Sequence, residues 1–153
     1  MKKLIFILLV GTAVSTSCGG ASNHSNTKDG LPKVISLSKA DFIEKIYDYP
    51  SHLGEWNYLG DKPAIIDFYA DWCAPCKLVS PILEELAIEY VDQVYFYKIN
   101  TDKEKELANL FGIKAIPSLL FISLDDIPQM VQGAFPKEVI QEHIDVMLLQ
   151  DVQ

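Results

Sequence analysis

The stretch Ala64-Ile65-Ile66-Asp67-Phe68-Tyr69-Ala70-Asp71-Trp72-Cys73-Ala74-Pro75-Cys76-Lys77 runs a nearly continuous apolar segment into two cysteines. The segment is rich in β-branched and aromatic residues, which predicts a central strand buried on both faces. Beyond the cysteines, apolar residues recur at Leu78, Ile82 and Leu86 and at Val79, Leu83 and Ala87. That spacing predicts a helix over about residues 74–90. Pro81 falls inside it and removes the bond to the Lys77 carbonyl, so a kink is expected there. The cysteines thus mark a strand-to-helix junction, with Cys73 in the first helical turn, where free N–H groups and the macrodipole favour a thiolate. Cys76 lies one turn further on and beneath it. On this reading Cys73 is the exposed nucleophile and Cys76 resolves the mixed disulfide.

Two other uses of such a pair are weaker. A structural zinc site needs four ligands, whereas the chain has three cysteines and three histidines. Cys18 lies ahead of the domain, and His24, His52 and His143 lie in a tether, a loop and a helix flank, so no metal is expected. A static disulfide between residues this close would constrain little of the unfolded chain and stabilise the fold only slightly.

Working outward, Val34 to Leu37 reads as a short strand, and Ser38 with Asp41 as a helix cap ahead of Phe42, Ile43 and Ile46. Residues 48–62 form an irregular loop whose Tyr49, Trp56 and Tyr58 are expected to fold back on the core. Val94 to Ile99 reads as a strand, and Thr101 with Glu104 as the cap of a helix running to Phe111 and stopped by Gly112. Ser118 to Ile122 and Gln129 to Gln132 read as a hairpin turning at Leu124, Asp125 and Asp126. A last helix starts at Pro136, with Val139, Ile140, Ile144, Met147 and Leu148 toward the core. This alternation describes an α/β domain, a mixed sheet with helices on both faces.

The N-terminus has a different plan. Lys2 and Lys3 precede an apolar run, Leu4 to Val10, and then small residues up to Cys18-Gly19-Gly20. These are the parts of an export signal over residues 1–17, too short for a membrane-spanning helix. The arrangement resembles the bacterial lipoprotein signal, which implies that Cys18 is lipidated; ordinary cleavage near Ser17 or Ala21 is the alternative. Residues 18–33 are small and polar and read as a flexible tether, leaving residues 34–153 as one domain. Export implies a periplasmic location, where a disulfide can persist. A net charge of −8 and a basic complement made only of Lys argue against a nucleic-acid partner.

The residues DFYADWCAPCKLVSPILEELAIEY, 67–90, resemble the active-site strand and helix of thioredoxins, and the resemblance continues from Val34 to Leu149. It implies the thioredoxin fold, a mixed five-stranded sheet flanked by four helices, and a thiol–disulfide oxidoreductase needing no cofactor beyond Cys73 and Cys76. Trp72, Pro75 and Lys77 match the family motif, while Ala74 replaces its usual glycine at a position that helps set the redox poise. The family's buried proton-relaying acid falls on Asp67 and its lysine partner on Lys98. The cis-proline falls on Pro117 after Ile116, and the groove glycine on Gly133. Independently of resemblance, Asp67 is the only charge in an apolar strand, where an unpaired carboxylate has a raised pKa suited to accepting a proton.

The function expected is reduction of disulfides in exported proteins, with electrons from a donor that a membrane-tethered domain can meet. Oxidases of this fold usually carry His before the second cysteine, where this chain has Pro75. Disulfide formation and a non-catalytic binding module on the same scaffold are the alternatives.

Overall fold

The computed structural model describes residues 34–52 and 54–149. The export signal, Cys18 and the tether lie outside the described residues. Nine elements follow in chain order: β1 Ile35–Ser36, α1 Lys39–Lys45, β2 Ala64–Tyr69, α2 Cys76–Glu89, β3 Tyr95–Asn100, α3 Lys105–Leu110, β4 Ser118–Ile122, β5 Gln129–Gln132 and α4 Lys137–Met147. The strands form one sheet in the order β1-β3-β2-β4-β5. The β1, β3 and β2 strands run parallel, and β4 and β5 complete the sheet antiparallel. This is the five-stranded, four-helix α/β architecture expected from the sequence.

Alternation along β2 divides the core. Ile65 joins Val79, Leu83 and Leu86 of α2 and Ile140 and Ile144 of α4 on one face. Ile66 and Phe68 join Phe42 of α1 and Leu107 of α3 on the other. A strand covered on both faces cannot afford polar side chains, which is why its sequence is apolar except for Asp67. The loop aromatics Tyr49, Trp56 and Tyr58 pack against this second cluster, as expected.

Ser38 caps α1 as the sequence predicts: its hydroxyl accepts from Asp41 N, and Asp41 Oδ2 accepts from Ser38 N at 3.1 Å. The second capping box does not form. Thr101 Oγ1 instead donates to Tyr69 O at 3.1 Å, α3 begins after Glu104, and Glu104 Oε2 accepts from Lys39 N at 3.1 Å. Tertiary partners took both side chains away from the local motif. Leu78 also departs from its expected place, because it lies 67% exposed while Val79, Leu83, Leu86 and Ala87 carry the buried stripe of α2. Pro136 caps α4 rather than opening it, and Gly112, at φ 61°, closes the segment after α3.

Candidate active site

The end of β2 delivers Ala70 and the cysteine pair to one edge of the sheet. Cys73 and Cys76 are joined by a disulfide with Cα atoms 5.3 Å apart. Helix α2 starts at Cys76 with Pro75 as its cap residue, so Cys73 sits in the turn just before the helix rather than in its first turn. The helix terminus still meets the sulfur after this shift, since Cys76 N donates to Cys73 Sγ at 3.2 Å. An N–H group of the helix terminus thus points at the sulfur. Exposure differs from expectation. Cys73 is 2% and Cys76 1% exposed in the disulfide form, packed with Ala70, Tyr69 and Ile116. Both residues of the closed pair are buried.

Trp72, Ala74 and Pro75 are exposed beside the pair. The Trp72 indole donates to Asp102 Oδ2 at 2.8 Å. The Ile116–Pro117 peptide bond is cis. Gly133, at φ 130°, donates its N–H to Pro117 O at 3.0 Å and so fixes the end of β5 against the proline. Trp72, Ala74, Pro75 and Ile116 therefore lie at or against the cysteine pair, and Pro117 is bonded to Gly133.

Asp67 is 1% exposed, and its Oδ1 has no hydrogen-bond partner. Burial raises its pKa from 3.8 to about 7, and the positive charge of Lys98 opposes the rise. Lys98 is its register partner on β3. The Lys98 ammonium does not close on Asp67, however, but lies 3.8 Å from Glu84 Oε1. Glu84 and Asp102 escape a reading of sequence because each acts on a residue of another element. The one local hint is Asn100, a polar residue at a strand end, whose Oδ1 accepts from Asp102 N and Lys103 N at 3.0 and 3.3 Å. Among the described residues, no group of His, Cys, Asp and Glu is arranged to hold a metal.

The thioredoxin family model matches residues 33–146. The thioredoxin of Borreliella burgdorferi is 43% identical over 110 residues, covering 72% of this chain and 93% of its own. Chloroplastic M-type thioredoxin of Pisum sativum is 39% identical over 85 residues, 56% of this chain and 49% of its own, so the chain spans about half of that relative. Thioredoxin 1 of Synechococcus elongatus is 39% identical over 83 residues, 54% of this chain and 78% of its own. A match that runs through every strand and carries a closed Cys73–Cys76 disulfide assigns this chain to the thioredoxin family of protein-disulfide oxidoreductases.

Proposed function

We propose that the domain reduces protein disulfides outside the cytoplasm and is held at a membrane through Cys18. The observation that carries the oxidoreductase reading is the closed Cys73–Cys76 pair with the buried acid Asp67, raised to about 7, on the strand that leads to it; the reductase direction rests on Pro75 before the second cysteine. A carboxyl with that pKa takes up and returns a proton near neutral pH, which a dithiol needs each time it opens or closes.

In the reduced protein, the Cys73 thiolate attacks one sulfur of a substrate disulfide. A Cys73–substrate disulfide forms and the other substrate sulfur leaves as a thiolate. Cys76 then gives its proton to Asp67 and attacks Cys73 Sγ. That step closes the Cys73–Cys76 disulfide and expels the second substrate thiolate. Two electrons have passed from the dithiol to the substrate, and a reductant partner must return two to reset the pair. Lys98 acts through its charge on Asp67. Trp72, Ala74, Pro75, Ile116, Pro117 and Gly133 frame the groove in which an extended substrate backbone lies.

Export rests on residues 1–17, and the anchor on Cys18 followed by two glycines. From there to Val34 the chain has room for a tether of about 15 residues, which reaches at most roughly 50 Å. That reach suits a donor embedded in the same membrane. The deciding experiment expresses Cys76→Ser in the exporting cell and identifies the proteins caught as mixed disulfides. Capture of exported substrates supports the reading. A potential, measured against a glutathione buffer, far above the periplasmic poise overturns the reductase direction in favour of disulfide formation.

A further inference from the structure

The carboxylate of Glu84, on α2, has partners from two other parts of the domain. Its Oε2 accepts the Val34 N–H at 3.2 Å, and its Oε1 lies 3.8 Å from Lys98 Nζ. Lys98 stands beside Asp67 in register, and Asp67 Oδ1 has no hydrogen-bond partner. One ammonium thus has two carboxylates within the range of its side chain. Among the described residues, its ion pair is with Glu84.

We propose that Glu84 is a positioning residue of the redox site, retaining the Lys98 ammonium at the surface and so keeping it from closing on Asp67. The inference rests on the reading of Asp67 as the proton acceptor. Solvation favours the surface arrangement: the Glu84 and Lys98 side chains are 45% and 31% exposed, whereas pairing with Asp67 takes the ammonium toward the interior, away from water. The Val34 bond holds the Glu84 carboxylate in place, so retaining Lys98 does not require ordering a free side chain. At 3.8 Å the contact is an attraction between charges rather than a hydrogen bond, so Lys98 is restrained without being locked.

Other charges near Lys98 are engaged elsewhere or repel it. Asp41, Lys103 and Glu104 line a cleft of ≈ 300 Å³ together with Lys98. Asp41 is bonded to Lys45 and Ser38, Glu104 accepts from Lys39 N, and Lys103 is a like charge. The cleft gives the lysine chain room to change rotamer. Removing the Glu84 charge then acts on Asp67 in one direction by two routes. Lys98 is released toward the acid, and a negative charge that disfavours a second carboxylate is lost.

The test is an NMR titration of the Asp67 carboxyl carbon in the oxidised protein, a reading that needs no turnover. In Glu84→Gln the Asp67 midpoint moves to lower pH by about half a unit or more. Glu84→Asp, which keeps the charge, stays near the parent midpoint. In a Lys98→Met background, Glu84→Gln moves the midpoint much less. An unchanged midpoint in Glu84→Gln, or an equal displacement without Lys98, overturns the proposal. A lowered Tm with the titration unmoved likewise assigns Glu84 a merely structural role. Failure of the Asp67 reading shows elsewhere, as an Asp67→Asn variant that resolves mixed disulfides at the parent rate.

Discussion

Trp72 Nε1 donates to Asp102 Oδ2 at 2.8 Å, which ties the residue ahead of Cys73 to the turn after β3. That turn is held from beneath by Asn100 and by the Thr101 bond to Tyr69 O. An indole that is 70% exposed is thereby given one orientation over the cysteine edge. A hydrogen bond to a carboxylate in this partly solvated setting contributes about 1 kcal/mol, equivalent to roughly a fivefold change in rate. Asp102→Ala is expected to lower kcat/KM for a protein disulfide by that factor, mainly through KM. A small aromatic disulfide, which needs no groove, should be affected far less. Steady-state assays with both substrates check this, and equal losses on the two would mean that the bond does not serve substrate docking.

Asp67 makes stability depend on pH in a direction opposite to most carboxylates. Its folded-state pKa, about 7, lies above the ordinary 3.8, so between those values the folded chain holds a proton that the unfolded chain has lost. Stability from this group is fully present below 3.8, falls as pH rises through the window, and levels off above about 7. Three pKa units correspond to about 4 kcal/mol. Asp67→Asn should therefore stabilise the oxidised protein by an amount of that order at alkaline pH and by little near pH 4. Urea unfolding at the two pH values measures it, and a gain independent of pH would refute the linkage.

What could be read from the chain alone was whatever neighbouring residues decide among themselves. The apolar run of β2, the Ser38–Asp41 cap and the β4–β5 hairpin are local patterns, and the structure places them where the sequence does. Thr101 and Glu104 make an equally good local pattern, yet Tyr69 O and Lys39 N claim their side chains. Leu78 fits a helical stripe, but it lies exposed among the described residues, and periodicity alone does not tell which of two adjacent stripes is covered. At the site, the residue types were legible and the contacts were not. The Lys98–Glu84 pair depends on how α2 lies across the sheet, and the burial of Cys73 on Tyr69 and Ile116, which come from β2 and from the loop before β4.

Gly133 combines a positive φ of 130° with a bond from its N–H to Pro117 O. An added Cβ would meet the Phe135 ring at 3.4 Å, an ordinary contact, so the cost of a side chain lies in the backbone. Forcing an alanine into this region costs about 1–3 kcal/mol. Gly133→Ala is expected to lose stability of that order in denaturant unfolding and to raise KM for protein disulfides by loosening Pro117. Unchanged stability would show that the backbone relaxes there without strain.

Two leucines on α2 allow the covered face of that helix to be tested by one kind of substitution. Leu83 is 1% exposed within the cluster shared with α4 and the sheet, whereas Leu78 is 67% exposed. Truncating a buried leucine loses both its transfer free energy and the packing around the cavity left behind, about 3 kcal/mol. Truncating an exposed one on a helix changes stability by about half a kcal/mol or less. Leu83→Ala should therefore move the urea midpoint strongly, and Leu78→Ala hardly at all. A large loss from Leu78→Ala would mean that this face is covered in solution, by another copy of the chain or by residues outside 34–149. A dependence of that loss on protein concentration would distinguish the first from the second.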